Sequence, residues 1–83
     1  MDARIVELID QERERQAEKW QVHDWGYGDC SSSEVPAIVK AAVLGEECGE
    51  VARAVLDLDD VALLAELVQV AAVAVAWLEC ELA

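Results

Sequence analysis

Proline, glycine and basic residues are scarce in this sequence of 83 residues. It has one proline and four glycines, and 55% of its residues are apolar, largely Ala, Val and Leu. This composition is typical of a helical globular protein and argues against an all-β or a disordered chain. We therefore expect an all-α fold, with residues 1–83 forming a single small domain.

Positive charge is also scarce. The chain has six lysines and arginines against 18 acidic residues, which gives a formal net charge of −12. Such a charge repels nucleic-acid backbones and anionic membrane surfaces, so we expect neither as a partner. A phosphate ligand stays possible if divalent cations lie between it and the carboxylates.

Cysteine pairs and long apolar runs are missing as well. Three cysteines without a CxxC pair predict neither a disulfide framework nor a thiolate metal site, and a reducing cytosol fits them best. The N-terminus lacks the apolar block of a signal peptide, and the longest uncharged run near the C-terminus, residues 67–78, is too short to cross a bilayer. We expect a soluble, cytoplasmic protein in which the thiols are ordinary and Cys48 is packed.

The apolar pattern predicts three helices. The first runs from Ala3 to about Trp20, the second from about Glu34 to Asp57, and the third from about Asp60 to the end. Residues 21–33, rich in glycine and serine, read as a loop, and the sequence DLDD at residues 57–60 reads as a tight turn with Asp caps.

The third helix is apolar nearly all round, because only Glu66 and Gln69 are polar between Val61 and Leu78. Such a helix needs cover on every side, and three helices of this length do not enclose it. We therefore expect an antiparallel helix hairpin that forms a helical bundle as a homodimer or a dimer of dimers.

Three carboxylates share one arc of the second helix. At 100° per residue, Glu46, Glu47 and Glu50 lie within 100° of one another, in a segment that is otherwise apolar. Counting outward from Leu58 places Glu50 level with Glu66, and Glu47 level with Gln69. The sequence thus predicts a layered cluster in an interior-facing groove.

Four like charges this close are costly unless a cation lies among them. Oxygen ligands suit Mg²⁺ or Mn²⁺, and the lack of Cys or His in the groove argues against zinc. The alternative is that Glu46 and Glu47 are half-exposed and paired with Lys40 and Arg53, with Glu66 at the edge of the core.

These residues resemble the signature of the MazG-like, all-α nucleoside triphosphate pyrophosphohydrolases, which is EExxE followed by ExxD. EExxE corresponds to Glu46, Glu47 and Glu50, and the second element begins at Glu66 after fifteen intervening residues. The resemblance extends from about Glu12 to Glu79. One position departs from the signature, because Gln69 stands where the family has Asp.

The resemblance implies hydrolysis of a (d)NTP to the monophosphate and pyrophosphate in nucleotide-pool house-cleaning, with Mg²⁺ as cofactor and assembly as dimers or dimers of dimers. It implies Glu46 and Glu47 as catalytic residues, Glu46 as a ligand or as the base that orients the attacking water. The implied metal ligands are Glu46, Glu47, Glu50, Glu66 and Gln69.

Substrate contacts are expected from cations and aromatic residues. Lys19, Lys40 and Arg53 are candidates to face the phosphates. Trp20, His23 and Trp25 lie where the family binds the nucleoside, although anchoring of the loop by the two tryptophans is the alternative. Two other functions stay open: an inactive metal- and nucleotide-binding module of the same fold, and a purely structural helical interaction protein.

Overall fold

The computed structural model describes residues 1–21 and 28–83. Three α-helices lie within these ranges: α1 (Ala3–Gln21), α2 (Ala37–Leu56) and α3 (Asp60–Leu82). The described residues include no β-strand. The predicted all-α class is therefore confirmed, as are the predicted limits of the first and third helices to within one residue.

Aspartates cap the starts of α1 and α3. The Asp2 carboxylate accepts a hydrogen bond from the backbone N–H of Arg4 (2.8 Å). The Asp59 carboxylate accepts one from the N–H of Ala62 (3.0 Å). Each side chain satisfies a backbone donor that the first turn of a helix leaves unpaired, so the cap predicted in DLDD is confirmed.

The predicted start of α2 at about Glu34 is wrong, because the helix begins at Ala37. Pro36 is the N-cap residue and has an extended backbone (φ −61°, ψ 148°). The proline ring also disfavours helical geometry at the preceding Val35. Ser32 closes a turn there instead, since its carbonyl accepts from the N–H of Val35 and its hydroxyl from the N–H of Glu34.

A compact turn links α2 to α3. The N–H of Asp59 donates to the carbonyl of Ala54, and the N–H of Leu58 donates to that of Val55. These two bonds form a Schellman motif, in which the residue after the C-cap adopts the left-handed conformation. Leu58 occupies that position with φ 53°. The turn predicted around Leu58 is confirmed.

Helix α3 packs against both other helices, whereas the described parts of α1 and α2 do not pack directly on each other. Small side chains occupy its most buried positions, namely Ala72, Val73 and Ala76. Cys30 from the segment before α2 completes this core, with Val43 and Leu44 against it. Cys48, by contrast, is exposed, so the prediction that it is packed is wrong for the single chain.

Arg13 ties the segment before α2 to the helices. Its guanidinium donates two hydrogen bonds to Glu79 near the end of α3 (3.3 and 3.0 Å), and it lies 4.0 Å from the carboxylate of Asp29. Asp29 is buried and accepts from both the N–H and the hydroxyl of Ser31. These ion pairs therefore hold in place the segment that puts Cys30 in the core.

A broad apolar surface is uncovered in the single chain. It is formed by α1 and the first half of α3, and its exposed members are Ile5, Leu8, Val61, Leu64 and Leu67. By length and composition alone, helix α3 is long and apolar enough to cross a membrane, and little of it is buried in the single chain.

We expect Leu58→Gly to stabilise the protein. Leucine in the left-handed conformation costs roughly 1–2 kcal/mol, which glycine avoids, and the greater freedom of the unfolded glycine chain returns roughly half of that gain. The side chain of Leu58 is 89% exposed, so its removal sacrifices little packing. Urea unfolding should show a gain of about 0.5–1 kcal/mol.

Leu56→Gly is the matched control. Leu56 is also exposed but lies in the last turn of α2, where glycine should destabilise by up to about 1 kcal/mol. Equal destabilisation by both substitutions would contradict the turn described above.

Candidate functional site

Two glutamates on different helices each present a buried carboxylate oxygen that lacks a hydrogen-bond partner in the described part of the chain. Glu47 lies on α2 and Glu66 on α3, both are half-buried, and the oxygen is Oε2 in each. A buried acceptor without a partner costs free energy, more so when it is charged. The pair is therefore an unfavourable feature of the chain by itself.

Electrostatics links Glu47 to Glu66. Burial raises the pKa of the Glu47 carboxyl above the ordinary value of 4.5, and the charges of Glu66 and Glu46 raise it further. The ammonium of Lys19 opposes this rise in the pKa, while Glu12 adds to it. Carboxylates from all three helices therefore act on one another at this position.

Helix α1 contributes an ion pair to this site. The Arg15 guanidinium donates to both carboxylate oxygens of Glu12 (2.8 and 2.6 Å). This bond raises the pKa of Arg15, and attraction to Glu47 and Glu66 adds to it. We define Glu12, Glu47 and Glu66, one from each helix, as the acidic cluster.

Gln16 joins the acidic cluster to the rest of the core. Its side-chain amide donates to Glu12 (3.1 Å) and, at 3.4 Å, to the backbone carbonyl of Gln69. The spacing of Glu12, Arg15, Gln16 and Lys19 places them along one face of α1, which is the signal that could have identified this contribution.

The other predicted ligands differ in their surroundings. Glu46 and Glu50 are exposed, so the expectation that all three α2 glutamates face an interior groove is wrong for these two in the single chain, whereas Glu47 is half-buried. Gln69 is half-buried, and its backbone carbonyl accepts a hydrogen bond from Gln16. Glu47 is predicted to lie level with Gln69, and it also lies within electrostatic range of Glu66.

The predicted substrate contacts are dispersed. Lys19 is exposed, with its ammonium 5.4 Å from the ring centre of the half-buried Trp20 and within electrostatic range of Glu47. Arg53 is exposed near the end of α2. Lys40, which was expected to face the phosphates, is buried instead, and its ammonium donates a hydrogen bond to the thiol of Cys80. His23 and Trp25 lie outside the described residues.

The donor chemistry of the acidic cluster fits an oxygen-preferring divalent cation. Glu47 and Glu66 offer carboxylate oxygens without competing hydrogen bonds, and carboxylates are the side chains that Mg²⁺ prefers. Within residues 1–21 and 28–83, however, no three His, Cys, Asp or Glu side chains are already arranged to hold a metal ion. Any such site needs oxygen from water or from a ligand.

An open groove of about 460 Å³ adjoins the acidic cluster. Glu12, Arg15 and Gln69 line its polar side, and apolar residues of α1 and α3, among them Leu8 and Leu64, line the other. The cluster therefore borders the uncovered apolar surface.

No protein-family model, curated protein or solved structure matches this chain.

We expect the acidic cluster to make stability depend on pH. Because the pKa of Glu47 is raised in the folded state, the folded chain holds this proton more tightly than the unfolded chain does. Stability should then fall as the pH rises from about 4.5 through the folded pKa.

Glu47→Gln removes this penalty. In urea unfolding without divalent cations, its stability advantage over the native chain should be greatest near neutral pH and should shrink as the pH falls to about 4.5. Glu7→Gln, at an exposed position on α1, is the control and should show no such trend. An advantage that is constant with pH would contradict the predicted repulsion.

Proposed function

We propose that the chain is a Mg²⁺-dependent nucleoside triphosphate pyrophosphohydrolase that converts a (d)NTP to the monophosphate and pyrophosphate. The observation that carries the proposal is the pair of buried, unpartnered carboxylate oxygens on Glu47 and Glu66. A divalent cation would offset both the missing hydrogen bonds and the mutual repulsion. The resemblance of residues 46–69 to the MazG-like signature supplies the reaction class.

The charges around the acidic cluster suit a triphosphate as well as a cation. Arg15 and Lys19 bring the nearby positive charge, and Arg15 is half-exposed, with 52% of its side chain accessible. Guanidinium and ammonium groups bind phosphate oxygens well. The net charge of −12 would otherwise repel the substrate, so recognition depends on this local pairing of cations with the acidic cluster.

Each residue then has a defined task. Glu47 and Glu66 would hold the Mg²⁺, together with Glu46, Glu50 or Gln69, and Mg²⁺ when bound neutralises the triphosphate and lowers the pKa of a bound water. Glu46, exposed beside Glu47, would accept the proton of the water that attacks the α-phosphorus. The bond to the pyrophosphate leaving group breaks in that step.

The proposal includes the predicted assembly in the cytoplasm. The contact of Lys40 in the first turn of α2 with Cys80 in the last turns of α3 supports an antiparallel hairpin. The exposed apolar surface of α1 and α3 supports a second copy as its cover, in a dimer or a dimer of dimers. Glu66 lies in the middle of the first half of α3, and an ionisable side chain there favours burial of this helix against protein over burial in lipid.

The test of activity is pyrophosphate release from a panel of (d)NTPs with Mg²⁺, measured beside nucleotide binding. We expect release by the native chain and a loss of about 100-fold or more in Glu47→Gln and in Glu66→Gln, because each removes a charge from the proposed metal site. The loss should be absent in Glu7→Gln.

Two outcomes would contradict the proposal. Nucleotide binding without release would indicate an inactive binding module, with Gln69→Asp as the variant expected to restore turnover in that case. Neither binding nor release would indicate a structural helical protein.

The assembly is tested by light scattering at micromolar concentration. We expect a mass of two or four chains for the native protein and of one chain for Leu64→Lys, which puts a charge into the centre of the apolar surface. Leu82→Lys, at the exposed end of α3, should leave the mass unchanged. A monomeric native chain would contradict the proposed assembly.

A further inference from the structure

A buried lysine of α2 contacts a cysteine near the end of α3. Lys40 is only 3% exposed, and its Nζ lies 2.9 Å from the Sγ of Cys80. No carboxylate of the described residues forms a salt bridge with it. The ammonium therefore has sulfur as its close partner, an uncommon surrounding for a buried cation.

Burying an ammonium without a paired anion is costly, and the sulfur of Cys80 is the group that Lys40 contacts. A cation beside a cysteine favours the thiolate, which is the reactive form. Lys40 also acts on Cys30: burial and the charge of Asp29 raise the pKa of the Cys30 thiol, and the charge of Lys40 opposes them. Lys40 thus lies within electrostatic range of one thiol and in contact with another.

Accessibility separates the two thiols. Cys30 is buried in the core, whereas Cys80 is half-buried and so open to a small reagent. The short Nζ–Sγ distance also means that, once the sulfur becomes electrophilic, the amine nitrogen is the nucleophile already in contact with it.

We propose that Cys80 is a peroxide-reactive thiol whose oxidised sulfur is captured by the Lys40 amine, forming a sulfur–nitrogen cross-link between α2 and α3. The oxidant is hydrogen peroxide or another hydroperoxide. This modification site shares no residue with the acidic cluster and does not depend on the proposed hydrolase activity.

The chemistry has two steps. The Cys80 thiolate attacks one peroxide oxygen, the O–O bond breaks, and the departing hydroxide takes a proton from the Lys40 ammonium to form water. This leaves a sulfenic acid beside a neutral amine. The amine then attacks Sγ, the N–S bond forms, the S–O bond breaks, and a second water leaves. Sulfur is oxidised by two electrons, and the peroxide is reduced to water.

The experiment treats the full chain with an equimolar amount of hydrogen peroxide and follows it by intact mass and peptide mapping. We expect a product that lacks two hydrogen atoms, in which the peptide of Lys40 is joined to that of Cys80, and which a thiol reductant reverses. Lys40→Met should give no such cross-link and should accumulate higher oxidation states of Cys80.

Two cysteine variants identify the bond. A disulfide between Cys30 and Cys80 also removes two hydrogen atoms, so Cys30→Ser must retain the product if nitrogen is the partner. Cys48→Ser must retain it as well, because Cys48 is exposed on α2 and has no part in the proposal. Loss of the product in Cys30→Ser, or its absence from the native chain, would overturn the proposal.

The rate of thiol labelling can be measured on the unmodified native chain, so this test does not depend on the folding of any variant. At neutral pH, iodoacetamide should label Cys80 about tenfold faster than the more exposed Cys48, because a cationic nitrogen in contact with a cysteine sulfur enhances its reactivity and Cys80 has such a contact with Lys40. Faster labelling of Cys48 would also overturn the proposal.

Discussion

The packing of α3 against both other helices is the contact on which the rest of the structure depends. Helices α1 and α2 do not pack on each other in the described residues, so α3 determines where each of them lies. The small side chains of Ala72 and Ala76 allow this close approach to α3 from two sides. Glu12 and Glu47 can therefore act on each other only because α3, which carries Glu66, holds both of their helices in place.

This arrangement concentrates polar chemistry along an apolar helix. The acidic cluster lies along the first half of α3, and the contact between Lys40 and Cys80 lies near its end. Both places hold charge in partly dry surroundings, where an unbalanced charge is expensive. At the first, the charge of Glu66 raises the pKa of Glu47, and at the second, the buried ammonium of Lys40 has the sulfur of Cys80 as its close partner. Both sites thus reflect the cost of burying a charge: the buried charge is negative at the acidic cluster and positive at Lys40.

Local signals predicted most of the fold and only part of the site. Asp59 and Leu58 lie in a turn whose position the sequence pattern indicated, because caps and turns depend on neighbouring residues. The predicted start of α2 is wrong because Pro36 disfavours helical geometry at the residue before it. Angular position on α2 alone did not separate Glu47 from its exposed neighbours, since burial depends on how another helix covers it. Spacing places Glu12 on one face of α1, but its proximity to Glu47 depends on the contacts of both helices with α3, which local patterns do not predict.

The central claim is that Glu47 and Glu66 together hold a divalent cation. The most direct measurement is the carbon NMR signal of the glutamate side-chain carboxyls, recorded while Mg²⁺ is added to the native chain without nucleotide. The Glu47 and Glu66 signals should move together along one saturating curve, while the signal of the exposed Glu7 stays in place. Signals of Glu47 and Glu66 that do not respond to millimolar Mg²⁺, or that respond no more than that of Glu7, would contradict it.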